Sequence, residues 1–157
     1  MEISDKISIK EIQYLSNNSK IDSAVILLPE NFNTKGQTPI YPDSSIAVKK
    51  LVSSRSIEII SDTKIEQMNE KRSLEWFGPI LLISSSYYIQ NKEIIAVICG
   101  IISNYLTDIF KGRKKDTTSL SIIYEDKEKR KTTRLDYSGS IEGLDKVADA
   151  IRKIADK

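Results

Sequence analysis

The sequence contains no histidine, and this absence removes the side chain most often used as a general base and as a metal ligand. One cysteine, Cys99, is present, so neither an internal disulfide nor a zinc site built on several thiolates is available. Cys99 lies within an apolar stretch, which predicts a small buried side chain rather than a reactive thiolate and suits a reducing compartment.

Recognisable catalytic and phosphate-binding motifs are also absent from the sequence. Neither a P-loop nor a dinucleotide-binding glycine pattern occurs. The closest group of acids, Glu125, Asp126 and Glu128, falls in a predicted hairpin turn, where we expect solvated charges. The composition therefore argues against catalysis, and it predicts no cofactor, no metal and no small-molecule substrate. An enzyme that uses only carboxylates or lysine is the open alternative.

The first fifteen residues lack the basic segment and apolar run of a signal peptide. The formal net charge of +2 by itself implies no special partner. We therefore expect a cytoplasmic protein, and the abundance of isoleucine, lysine, asparagine and serine favours a bacterial or phage source.

The chain divides into three segments on hydropathy: an N-terminal α/β segment (1–75), an apolar helical hairpin (76–112) and a β-hairpin–helix unit (113–157). We expect one compact domain, or two small units that share the helical hairpin. A domain of 157 residues buries about 68–70% of its unfolded surface, so it needs no disulfide or metal. The predicted fold class is α+β, with a mixed or antiparallel sheet, a central apolar α-helical hairpin and a C-terminal β-hairpin plus amphipathic helix.

In the first segment, residues 23–29 form a continuous apolar run that predicts a buried strand. A loop rich in proline follows (29–43), and Asp43 or Ser44 is placed to cap a helix through Ser53, with Ile46, Leu51 and Val52 facing inward. Residues 56–60 fit a second strand, so the order resembles a βαβ unit. Residues 3–15 fit either a strand or a helical turn, and the charged residues 63–73 fit a helix or a loop.

The apolar block 76–110 is the most unusual part of the sequence. Pro79 suits the first turn of a helix, which predicts a helix over 79–90, although 80–83 fits a strand as well. Asn91 is placed to cap a second helix to about Lys111, which Gly112 would end. That second helix carries an apolar seam at spacings of three and four. The seam comprises Ile95, Ile98, Ile102, Tyr105 and Ile109.

A stripe of small residues lies beside the seam: Ala96, Gly100, Ser103 and Thr107. These nine residues predict either a central core helix or an interface with a partner or a second copy. Membrane insertion is disfavoured, because both apolar runs are shorter than the roughly 18–20 residues that span a bilayer and Lys92 and Glu93 would lie at depth.

The last segment shows clear periodicity. Leu120, Ile122 and Tyr124 alternate along one strand, and Thr133, Leu135 and Tyr137 do so along the next, which predicts a hairpin with a turn at 125–129. Helical spacing follows at Ile141, Leu144, Val147, Ala148, Ile151 and Ile154.

Between Lys111 and Arg134 lie nine basic and four acidic residues, an excess that no other part of the chain matches. A hairpin would place basic groups at both ends of its first strand, where they could contact phosphates. The candidate anion-binding residues are Lys111, Arg113, Lys114, Lys115, Lys129, Arg130, Lys131 and Arg134.

Together these features predict a non-catalytic protein–protein interaction protein: a subunit, adaptor or inhibitor-like regulatory factor, with self-association through 94–110 as one mode. The alternative is a nucleic-acid-binding module that uses 111–134. A shallow membrane-associated protein is the third hypothesis.

Overall fold

The computed structural model describes residues 5–70, 75–111 and 117–157, which form strands and helices in mixed order. The strands are β1 (Lys6–Ile12), β2 (Val25–Leu28), β3 (Ile40–Pro42), β4 (Ile59–Ser61), β5 (Gln67–Asn69), β6 (Trp76–Ser84), β7 (Thr118–Asp126) and β8 (Lys131–Gly139). The helices are α1 (Ser45–Ser53), α2 (Ser85–Gln90), α3 (Ile94–Ile109) and α4 (Asp145–Ala155), and a 3-10 turn, Glu142–Leu144, precedes α4. The α+β class is confirmed.

Six strands form one mixed sheet in the order β1-β8-β7-β6-β2-β4. The pairs β6–β7 and β2–β4 are parallel, and the other pairs are antiparallel. Strands from each of the three predicted segments join this sheet, and β1 and β4 are its edges. The short strands β3 and β5 pair separately, in stretches where the sequence had predicted only a loop or a helix.

The predicted βαβ unit is confirmed, since α1 connects two parallel neighbours, β2 and β4. Within α1, Val48 and Val52 are fully buried. Ile46, which was expected to face inward, is 37% exposed. Ser44 precedes the helix but does not cap it, because its hydroxyl donates to the carbonyl of Phe77 at 2.7 Å instead.

The helix predicted over 79–90 is wrong for residues 79–84, and the alternative that the sequence left open, a strand at 80–83, is confirmed. Residues 76–84 form strand β6, and Pro79 is accommodated at an irregularity where the pairing with β7 shifts between Phe77 and Ile80. Because β6 is a central strand buried on both faces, its sequence is apolar without alternation. Asn91 does not cap α3 either; its side chain donates to the carbonyl of Tyr87 and so closes α2.

The C-terminal prediction is confirmed, because β7, β8 and α4 follow in the expected order. Alternate residues of these strands, including Leu120, Ile122 and Leu135, join the main core with α1, α3 and α4, which therefore lie on one face of the sheet. We call this the helical face. A smaller core on the opposite face contains Ile21, Ile26, Leu28, Ile80, Leu82 and Ile123, against which Tyr14 and Phe32 pack.

A partly exposed ionic contact fixes the start of β1. One Asp5 carboxylate oxygen accepts hydrogen bonds from the backbone N–H and the hydroxyl of Ser140, both at 2.9 Å. The other oxygen lies 2.8 Å from the Lys146 ammonium. Lys146 first, and then the Ser140 backbone, hold the pKa of Asp5 well below its usual range. Asp5 thereby joins β1 to the residues that lead into α4.

We expect Asp5→Ala to lower the free energy of unfolding by about 2 kcal/mol at pH 7, because three donors lose a charged acceptor. Since the pKa of Asp5 is depressed in the folded protein, its contribution is complete above the ordinary value of 3.8 and is lost as the pH falls below it. Urea unfolding at pH 7 and pH 3 measures both effects. Lys146→Ala is the control, with a smaller loss because the Ser140 bonds persist. Equal stability of Asp5→Ala and the native sequence at pH 7 would contradict this account.

Candidate functional site

The apolar seam of α3 is part of the protein's own core. Ile95, Ile98 and Ile102 are at most 1% exposed and pack under the helical face of the sheet. Tyr105 is half-buried against the same core, and only Ile109 is substantially exposed, at 41%. The structure thus favours the core interpretation of the seam, and these three isoleucines are not available to a partner.

The small-residue stripe of α3 faces outward. Ala96, Gly100 and Thr107 are exposed, and Ser103 is half-exposed. A Cβ atom added at Gly100 would meet no other atom within 4 Å, so no described part of the chain packs there. The Thr107 hydroxyl donates to the Ser103 carbonyl at 2.8 Å within the helix itself. An interface at this stripe stays a prediction.

The predicted basic patch is divided between the two ends of the sheet. Because α3 connects the parallel strands β6 and β7, it must run back along the sheet. Lys111 follows α3 and so lies towards the end of the sheet where β7 begins. Lys129, Arg130 and Lys131 surround the β7–β8 turn at the other end, about 30 Å away along a strand of nine residues. Arg113, Lys114 and Lys115 lie outside the described residues.

Arg134 is already engaged within the chain. Its Nε atom donates to both carboxylate oxygens of Asp136, at 3.1 and 3.0 Å. Its guanidinium also lies over the ring of Phe32, 5.9 Å from the ring centre. Arg134 therefore positions Phe32 against the sheet, and it is less available to a phosphate than the turn residues.

The edge strand β1 is the most exposed regular element of the described chain. Every residue from Lys6 to Glu11 is exposed, although the strand pairs along its full length with β8. Among the described residues no strand pairs with its outer side. The strand therefore presents a row of backbone donors and acceptors for which the sheet supplies no partner.

The two faces of β1 differ chemically. Ile7 and Ile9 lie opposite Tyr137 and Leu135, so they belong to the helical face, yet they are 36% and 51% exposed. Lys6, Ser8 and Lys10 lie on the opposite face. The sequence showed this alternation but left residues 3–15 undecided between strand and helix, and an edge position is not visible in local periodicity.

A groove runs beside β1 on the helical face. It lies between β1, β8 and the end of α4 and has a volume of about 180 Å³. Ile9, Tyr124 and Ile154 form its apolar part. Basic and acidic side chains also line it, among them Lys129, Lys131, Glu11 and Asp126. The groove is large enough for a side chain of an added strand but not for a drug-sized ligand.

A wider cavity of about 870 Å³ lies on the opposite face, next to the β7–β8 turn. Tyr14 and Phe32 meet there edge to face, with ring centres 4.9 Å apart. Arg130 and Lys131 contribute positive charge and Asp62 negative charge. Burial and the charge of Asp62 raise the pKa of Tyr14 to about 12, so the phenol stays neutral at physiological pH.

Glu125 was expected in a solvated turn, and that prediction is wrong. It is the penultimate residue of β7, only 1% exposed, and it accepts a hydrogen bond from the backbone N–H of Ser16 at 2.6 Å. Burial raises the pKa of this carboxyl, an effect that the Ser16 bond reduces. Glu125 thus holds the segment that follows β1 across the sheet.

Other chemistry is sparse in the described part of the chain. No group of three or more acidic or cysteine side chains there is placed to hold a metal ion. Cys99 is buried, as predicted, and burial raises the pKa of its thiol to about 12. None of the described helices has both the length and the apolar character needed to cross a bilayer.

Comparisons with known proteins give no relative from which a site could be transferred. No protein-family model matches the chain, and no curated protein or solved structure matches it either. A function for this chain must therefore be inferred from its own geometry, above all from β1 and the groove beside it.

We expect Glu125→Gln to be at least as stable as the native protein at pH 7, because glutamine keeps the acceptor for Ser16 without a buried charge. A raised pKa means that the native state binds more protons than the unfolded chain, so native stability falls as the pH rises above 4.5. That fall should be absent in Glu125→Gln and present in the exposed-turn control Glu128→Gln. Urea unfolding between pH 4.5 and 8 measures it; parallel profiles for Glu125→Gln and the native protein would contradict the assignment.

Proposed function

We propose that the protein is a non-catalytic protein–protein interaction module, a subunit, adaptor or inhibitor-like factor, that binds its partner through the free edge of β1. The observation that supports this most strongly is the strand itself: its seven residues pair on one side only within the described part of the chain, and two of them are exposed isoleucines. Natural sheets usually shorten, cover or charge such an edge. Lys6, Lys10 and Glu11 charge this one, but it is neither short nor covered by another described strand. The proposed setting is the cytoplasm of a bacterium or a phage-infected cell.

Strand addition explains how the surface would bind. The outer N–H and C=O groups of β1 supply main-chain hydrogen bonds, which give affinity without demanding a particular partner sequence. Specificity comes from the groove, whose apolar part at Ile9, Tyr124 and Ile154 accepts an apolar side chain. Neither step requires a histidine, a metal or a reactive thiol.

A charge introduced at the edge tests the proposal. We expect Ile9→Lys in the tagged full chain to reduce partner recovery from the native host by about tenfold, since a contact of one aliphatic side chain contributes roughly 1.5 kcal/mol. Val97→Lys is the matched control, because Val97 is 45% exposed on α3, away from β1. Quantitative mass spectrometry of the co-purified proteins measures recovery. Unchanged recovery with Ile9→Lys, or loss with Val97→Lys, would contradict the proposal.

A second candidate function is nucleic-acid binding at the wider cavity. The observation that favours it is that basic and aromatic side chains line the same cavity. The basic residues are Lys35, Arg130 and Lys131, and the aromatic rings are those of Tyr14 and Phe32. Basic groups contact phosphates, and aromatic faces stack on bases. The acids Glu11 and Asp62 line the same cavity and weaken this candidate relative to the first.

Fluorescence anisotropy with a single strand of about 20 nucleotides decides the second candidate. We expect binding at this cavity to weaken with salt. The double variant Arg130→Glu, Lys131→Glu should reduce the log–log salt slope by about 1.4, because each phosphate contact on a single strand contributes about 0.7. The control double variant Lys50→Glu, Lys153→Glu changes the net charge by the same amount at residues that do not line the cavity, and it should leave the salt slope unchanged. No binding in low salt would eliminate this candidate.

A further inference from the structure

We propose that the partner at the β1 edge is β1 of a second copy, paired antiparallel with Ile9 opposite Ile9 on a two-fold axis. The two six-stranded sheets then continue into each other across the dimer. This inference rests on the proposed function of β1, and it identifies both the occupant and its register.

Symmetry restricts the possible registers. A two-fold axis perpendicular to the sheet keeps the helices of both copies on the same side, so directly opposite residues must come from the same face. Ile7, Ile9 and Glu11 lie on the helical face, and the even-numbered residues lie on the other. One residue at the axis must therefore lie opposite the same residue of the second copy.

Only the register centred on Ile9 pairs β1 along its entire length, because Ile9 is the middle residue of Lys6–Ile12. In that register Ile7 lies opposite Glu11, and Ser8 lies opposite Lys10. No residue of the strand faces a like charge. The two Ile9 side chains at the centre cover each other, which removes from water the most exposed apolar side chain of the strand.

The neighbouring registers are disfavoured by charge. Centring on Ser8 places Lys6 opposite Lys10 twice and brings Asp5 opposite Glu11. Centring on Lys10 places that lysine opposite itself. Like charges directly opposite one another destabilise a strand pair. In both registers, two residues of β1 also have no partner within β1 of the second copy. The sequence of β1 therefore specifies one self-pairing over its alternatives.

A single-cysteine scan tests both the occupant and the register. Ile7, Ser8, Ile9 and Lys10 are each replaced by cysteine in the full chain, and disulfide formation is followed under mild oxidation. The native Cys99 is buried and its thiol pKa is raised to about 12, so it gives no background. We expect Ile9→Cys to form the covalent dimer at least about tenfold faster than the other three variants.

The distances explain this contrast. At Ile9 the two cysteines lie directly opposite, with Cα atoms about 4.5–5.5 Å apart, which a disulfide spans. At Ser8 and Lys10 each cysteine is displaced by two residues along the strand, about 7 Å, and at Ile7 by four residues. Fastest dimer formation at Ser8→Cys or Lys10→Cys would overturn the register.

Light scattering of the unmodified chain provides the second measurement. We expect a mass of twice 17.8 kDa, lost in Ile9→Lys and retained in Val97→Lys. A concentration-independent monomer with no disulfide at any of the four positions would overturn the second copy as the partner. In that case, the recovery experiment distinguishes the two proposals. If Ile9→Lys still failed to recover a host protein that the native chain recovers, the proposed function of β1 would stand and only the self-pairing would be wrong.

Discussion

The pairing of β1 with β8 is the contact on which the proposed binding edge depends. Asp5 anchors its beginning to Ser140 and Lys146. Just beyond its end, the carbonyl of Tyr14 accepts a hydrogen bond from Thr132, and Ser16 donates to the buried Glu125. These bonds tie both ends of an otherwise exposed strand to its neighbours, so its outer side is held in place for a partner strand.

The exposure of this edge follows from the layering of the fold. The helices cover the middle of the sheet, where β2, β6 and β7 carry most of the buried apolar side chains. On the opposite face, the chain between β1 and β2 and the loop after β2 cover only the part of the sheet near Ile26 and Leu82. Of β1, the smaller core reaches only Ile12 at its end. Ile7 and Ile9 are thus left at the surface by the order of the strands, whereas Ile95, Ile98 and Ile102 of α3 are enclosed.

Prediction from sequence succeeded where a pattern was local and periodic. The alternation of Leu120 and Ile122, and the helical spacing of Val147 and Ile151, determine which face each residue occupies, and both elements are present. The apolar run at 25–28 was also recognisable as a strand. In each case the residues that define the element are neighbours in sequence.

Prediction failed or stayed undecided where burial depends on distant parts of the chain. Residues 80–83 of β6 are buried on both faces, and a uniformly apolar run has no period that distinguishes strand from helix. By local sequence Glu125 resembles a turn residue. Its burial involves a hydrogen bond from Ser16, which is 109 positions away in the sequence. The edge position of β1 likewise depends on the strand order, which local sequence does not contain.

The central claim is that β1 is a free edge in the monomer and a paired strand in a dimer. Amide hydrogen exchange along β1, recorded at increasing protein concentration with β7 as the internal reference, measures this most directly. We expect the outward-pointing amides of residues 6–12 to exchange slowly at high concentration and faster on dilution, while exchange along β7 does not change. Exchange along β1 that is equally fast at every concentration would contradict the claim.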